Sequence, residues 1–206
     1  MNLYDTIIFD LGAVLIDWNP RYVYKNMFVT EEAMEYFLSE ICTSHWNEQQ
    51  DAGRLFADAT KELIDQYPHY TKEIEVYYGK WVEMLGGPIQ PTVDMFAKLK
   101  ANNRYKIVAL TNWSAESFPI ALGMYDFLHW FDGILVSGSE NLKKPDPAIF
   151  ELLLDRYDID RSKAIFIDDN PNNYAAATKL GIKSIHFQNS DQCRDELAVL
   201  LSMDLS

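Results

Sequence analysis

Positive charge is scarce in this sequence. Lysine and arginine together number 18 against 31 aspartates and glutamates, a formal net charge of -13. That balance argues against nucleic acid or an anionic membrane as the main partner. It leaves room for a small phosphorylated substrate, because a local pocket with a bound cation can hold a phosphate inside an acidic protein. Cysteine is nearly absent. Cys42 and Cys193 stand far apart, which makes no disulfide framework and reads as two free thiols in a reducing compartment. No stretch approaches the ~18 apolar residues of a membrane-spanning helix. The opening MNLYDTIIFD lacks the basic region and long apolar run of a secretory leader, so a cytoplasmic location is expected. His45, His69, His129 and His186 show no ligand spacing, which argues against a zinc site. Internal repeats and low-complexity tracts are also missing.

What is present suits a globular fold. The chain has 206 residues, 48% hydrophobic and 24% charged, enough for one α/β domain or a core with a small insert. Five short apolar runs read as strands: Thr6 to Phe9, Tyr105 to Asn112, Gly133 to Ser137, Ala164 to Asp168 and Lys183 to Phe187. The first four are largely apolar, as strands buried on both faces should be. Helical patterns lie between them. PTVDMFAKLKAN opens with Pro91 and puts Val93, Phe96 and Leu99 on one face; PAIFELLLDRY starts at Pro147; NNYAAATKLG stops at Gly181. The alternation predicts an α/β fold with a doubly wound parallel sheet.

Residues from Asp17 to Gly87 break that rhythm. EEAMEYFLSEI, FADATKELIDQY and YTKEIEVYYGKWVEML all read as helices, and no strand is expected among them. The expected organisation is therefore a core of residues 1–16 and 88–206 with a small all-helical cap, residues 17–87, inserted after the first strand. Such an insert can cover the carboxyl ends of the strands, where open α/β sheets bind ligands.

Polar groups gather where the apolar strands end. Asp10 follows the first, Thr111 and Asn112 the second, and Asp168 and Asp169 the fourth; Lys144 lies past the third. In a doubly wound sheet these positions converge on one edge. Three carboxylates, a hydroxyl and an ammonium would then share a cleft.

These residues carry a family resemblance. FDLGAVL, LTN, KKPDPAIF and FIDDNPNN resemble, in order, the four motifs of the haloacid-dehalogenase-like superfamily. The insert resembles the small C1 cap of its subfamily I, and the whole pattern resembles sugar-phosphate phosphatases. The resemblance implies a Rossmann-like core and a magnesium-dependent phosphatase acting on a small phosphorylated metabolite, as a monomer or homodimer. Asp10 would be the nucleophile, with Thr111, Lys144 and the backbone N–H groups near Leu11 and Asn112 holding the phosphoryl oxygens. Asp10, Asp169 and the Gly12 carbonyl would bind Mg²⁺. Asp168 would bind it through water or orient the lysine, and Asn173 would hold metal-bound water. The lysine directly before the proline is the family's, which selects Lys144 over Lys143.

The sequence departs from the family at Gly12, where phosphatases usually carry an aspartate that protonates the leaving group. Asp17 is a poorly spaced substitute. Trp113 and Ser114 follow the second motif and either touch substrate or pack. Arg54, in QQDAGRLF, either reaches the substrate or is solvated. Tyr77, Tyr78 and Trp81 are expected in the cap core. Two other activities fit the resemblance less well: a weakly catalytic metal- and phosphate-binding regulator, and a metal-independent 2-haloacid dehalogenase. The second leaves an acidic pair at 168 and 169 without a purpose.

Overall fold

The computed structural model describes residues 3–205, so the ends of the expected core, residues 1–2 and 206, lie outside it. Among the described residues, seven strands occur in chain order: β1 (Thr6–Phe9), β2 (Ile16–Trp18), β3 (Leu85–Pro88), β4 (Lys106–Thr111), β5 (Gly133–Val136), β6 (Ala164–Asp168) and β7 (Lys183–His186). Five of them form one parallel sheet in the order β5-β4-β1-β6-β7. The doubly wound α/β sheet is thus present. The chain runs outward from β1 through β4 to β5, then crosses back to β6 on the other side of β1, which puts the topological switch point beside β1.

Burial follows from the pleat. Successive side chains of a strand point to opposite faces. Ile7, Phe9, Ile107, Ala109, Ile165 and Ile167 pack into one hydrophobic layer, while Ile8, Val108, Leu110 and Phe166 pack into the other. The first layer is closed by the helices Gln90–Ala101 and Ser190–Leu201; the second by Pro147–Arg156 and Pro171–Lys179. Gly181 takes a left-handed φ of +83° just past the last of these, as its C-terminal cap position requires.

The insert packs around its own core, which includes Tyr24, Phe37, Trp46, Ile74, Tyr77 and Met84. Two expectations for it need correction. It is not free of strands: Ile16–Trp18 and Leu85–Pro88 pair antiparallel as a short ribbon where the cap joins the sheet domain. Three and four residues, two of them glycine, are too few to display a strand's alternation. The run YTKEIEVYYGKWVEML is also not one helix. It is helical over Thr71–Gly79, breaks at Lys80, and continues as a 3₁₀ turn over Trp81–Met84. Gly79 weakens the helix at that point, and the break turns Trp81 toward the sheet domain, where it joins the first layer. Among the described residues, no helix is long and apolar enough to cross a membrane.

Candidate active site

Parallel register delivers the polar groups to one edge. Phe9 is level with Ala109 and Ile167, so Asp10, one residue beyond β1, sits between the ends of β4 and β6. Asp10, Asp168 and Asp169 each offer an oxygen within 4.8 Å of the others.

Lys144 lies among them, with its side chain wholly buried. Its ammonium donates to Asp168 Oδ2 at 2.6 Å and to the Leu110 carbonyl at 2.8 Å, and pairs with Asp10 Oδ1 at 2.9 Å. These contacts use all three of its protons. Burial opposes the charge, but Asp10 and Asp168 outweigh it and hold the lysine above its ordinary pKa. The neighbouring Lys143 instead reaches the cap, where it meets Glu48 at 2.6 Å. Asn112 fixes the lysine's backbone: its Oδ1 accepts from the Lys144 N–H at 2.8 Å, and its Nδ2 donates to the Lys144 carbonyl at 2.9 Å. That amide is therefore engaged with the lysine rather than turned to a ligand.

Asp168 is fully buried. Its carboxylate accepts from Lys144, from the Asn170 N–H at 2.8 Å and from Asn173 Nδ2 at 3.1 Å. Asp10 Oδ1 accepts from the Leu11 N–H at 2.7 Å. One ammonium for three carboxylates leaves surplus negative charge. Burial pushes the Asp10 carboxyl above the usual carboxylate range; Lys144 pulls it back, and Asp168 and Asp169 raise it further. Asp169 is raised by burial and then by Asp168. Of the buried polar atoms without a hydrogen-bond partner, two belong to the residues gathered here: Thr111 Oγ1 and Asn173 Oδ1. Left unmet, each costs stability, so both point to a ligand that completes them.

A cavity of about 480 Å³ opens over this cluster. The sheet domain contributes Asp10, Gly12, Asn112, Trp113, Ser114, Lys144, Asp169 and Asn173; the cap contributes Asn47, Glu48, Asp51, Phe56, Tyr78 and Trp81. Tyr78 and Trp81 thus face the cavity, whereas Tyr77 is in the cap core as expected. Phe56 stacks on Tyr78 at 3.8 Å between centroids, and Trp81 meets Trp113 edge-on at 5.7 Å. Trp113 is positioned by bonds to Ser117 Oγ and Ser137 Oγ, and the Ser114 hydroxyl accepts from the Glu116 N–H. Arg54 is not in the cavity wall. Its guanidinium is drawn to Gln50 and Glu62 within the cap, with Nη2 buried and unpartnered. Asp17 is also elsewhere, bonded to the Tyr22 hydroxyl at 2.5 Å. Asn47, Glu48, Asp51 and Phe56 are not among the site residues expected from sequence; of these, the Asp51 carboxyl is pushed up to about 7, chiefly by burial. Its only signal was an acid beside the Gly53 turn of the cap.

The comparisons with known proteins agree with this architecture. A family model described as haloacid dehalogenase-like hydrolase matches residues 4–181. A sesquiterpene phosphatase of Aspergillus oryzae is 28% identical over 186 residues, 89% of this chain and 89% of that protein. A drimenol cyclase of Aspergillus calidoustus is 27% identical over 193 residues, 93% of this chain; the chain spans 35% of that longer protein. Among solved structures, a HAD family enzyme of Bacteroides thetaiotaomicron in magnesium complex superimposes with a TM-score of 0.70 at 20% identity, covering 91% of this chain and 94% of the other. With most of its length matched by the family model, this chain belongs to the haloacid dehalogenase-like hydrolase family.

Proposed function

We propose that this protein is a magnesium-dependent phosphatase that hydrolyses a small phosphorylated metabolite through an aspartyl-phosphate on Asp10. The observation that carries the reading is the convergence of three acidic oxygens beside a buried ammonium at the mouth of one cavity. The donor set fits a hard cation such as Mg²⁺, since it consists of oxygens alone. Asp168 is already saturated by donors, so Asp10, Asp169 and the Gly12 carbonyl are the residues to hold the ion. The free Asn173 Oδ1 suits a metal-bound water. When bound, the cation removes the repulsion between a carboxylate nucleophile and a phosphate dianion.

The chain's own groups do the rest. Asp10 attacks phosphorus in line. The Thr111 hydroxyl, free of any protein partner, donates to a phosphoryl oxygen, and the Lys144 ammonium balances its charge. Asn112 and Asp168 keep that ammonium in place. Water then releases phosphate from Asp10. The aromatic wall of Phe56, Tyr78, Trp81 and Trp113 takes the organic part of the ester, with the cap's Asn47 able to bond any hydroxyl it carries. The phosphatase relative supports the reaction class.

Phosphate release from a panel of phosphate esters, with magnesium and then with chelator, tests this. Turnover is expected in magnesium and should drop by at least about tenfold in chelator. No release from any ester would sink the proposal. A substitution probes the cradle. Thr111→Val should lower turnover by about tenfold without lowering the melting temperature, because it removes a buried hydroxyl that nothing satisfies. Undiminished turnover would take Thr111 out of the phosphoryl site.

A further inference from the structure

An alkoxide leaves phosphorus slowly unless it is protonated as the bond breaks, and the water that follows needs a base. Position 12, next to the nucleophile's turn, has no side chain to offer. Among the described residues, four carboxyl groups line the cavity: Asp10, Glu48, Asp51 and Asp169. Asp10 is the nucleophile, and Asp169 belongs with it in the acidic cluster. Glu48 is half-exposed and its carboxylate is taken up by the pair with Lys143. No histidine lines the cavity. Asp51 alone has no other duty.

Its placement is built rather than incidental. The Asp51 carbonyl accepts from Ser137 Oγ at 2.5 Å, and that same oxygen accepts from the Trp113 N–H at 2.9 Å, two residues beyond Thr111. On one side of Asp51, Glu48 is tied to Lys143. On the other, Gly53 has a left-handed φ of +100° and lies so close to the Asn141 side chain that a Cβ there would collide with it. A little further on, the Phe56 N–H donates to Glu116 Oε1 at 2.6 Å. The cap segment around Asp51 is thus pinned to the sheet domain at several points, and Asp51 lines the same cavity as Asp10.

We propose that Asp51 is the acid and base of this hydrolysis, protonating the leaving oxygen and then taking the proton of the attacking water. This rests on the phosphatase reading above. In the first step, an Asp10 oxygen bonds to phosphorus. The bond from phosphorus to the ester oxygen breaks with its electron pair on that oxygen, and the Asp51 proton goes to it, giving the free alcohol. In the second, water attacks phosphorus as Asp51 takes its proton. The bond to Asp10 breaks, with the pair returning to the carboxylate, and inorganic phosphate departs. Asp51 ends protonated, as it began. Its surroundings suit both roles. Burial is the main force raising its pKa to about 7, with Glu48 adding to it; Lys143, a backbone hydrogen bond from Ser114 and Lys144 pull down. Tyr77 and Tyr78 lie near enough that the Asp51 charge helps to raise their pKa values, after burial. An acid poised near the working pH is the most effective proton donor and acceptor.

The test is Asp51→Asn assayed on an alkyl phosphate and on p-nitrophenyl phosphate, whose anion leaves without a proton. On the alkyl ester, turnover should fall by about 10²-fold or more. On the aryl ester, a rapid burst of about one nitrophenol per active site should precede slow turnover, because only the second step still needs Asp51. Loss of both activities in equal measure without a burst, or turnover of both within about twofold of wild type, would overturn the assignment. If the variant does not fold, a leaving-group series on the wild type decides. The dependence on leaving-group acidity should be shallow below about pH 7 and steep above it; equal slopes would overturn the assignment. Wild type inactive on every ester would instead indict the phosphatase reading itself.

Discussion

Asp10→Asn is expected to fold normally and to lose at least ~10³-fold of phosphate release. The amide is nearly isosteric with the carboxylate, so the neighbouring layers stay as packed. Its oxygen can still accept from the Leu11 N–H, the contact Asp10 makes at 2.7 Å. What disappears is a nucleophile that no other side chain can replace. Asp168 is saturated by Lys144, Asn170 and Asn173 and is fully buried, so it cannot turn to attack. Stability should not fall in proportion, because the substitution also removes one of three carboxylates that share a single ammonium. A melting curve with a phosphate assay checks both halves. Turnover near that of wild type would end the covalent mechanism.

Lys144→Met should damage stability and activity together. The ammonium is buried between Asp10 and Asp168, and removing one partner of a buried pair costs about 3–5 kcal/mol because the remaining charge goes uncompensated. For a domain of this size, that is a fall of roughly 6–20 °C in melting temperature. Added magnesium should recover part of it, since a ligand that binds only the folded state stabilises it. Lys143→Met is the control. It breaks a solvent-accessible pair with Glu48, worth about 0–1 kcal/mol, and should leave melting nearly unchanged. A reversed order of effects would exchange the roles assigned to the two lysines.

Several of these features were open to reading from the chain, for reasons specific to each. The runs ending in Asp10, Thr111 and Asp168 are short and unbroken because each strand is covered on both sides, and that pattern depends on nothing but composition. The residue before Pro145 singles out Lys144 through its resemblance to the third family motif. The helix Ser190–Leu201 is not among the expected elements, although Cys193, Leu197 and Leu201 recur every four residues and are all buried.

The cap resisted for another reason. Arg54, Tyr78 and Trp81 sit on segments whose polar and apolar residues suit either a cavity wall or a packed surface. Arg54 suits either a substrate contact or a solvated surface in sequence, whereas its guanidinium is engaged by Gln50 and Glu62. Tyr78, on the helix, and Trp81, just past its break at Lys80, both line the cavity, although their spacing suits a packed stripe equally well.

The chain alone determined the α/β alternation and the polar residue at the end of each buried strand, because strand burial and chain order are properties of local sequence. Only the tertiary structure decided which cap side chains look into the cavity, and that Asp51 is one of them. That choice depends on the relative orientation of two separately packed cores, which no local pattern encodes.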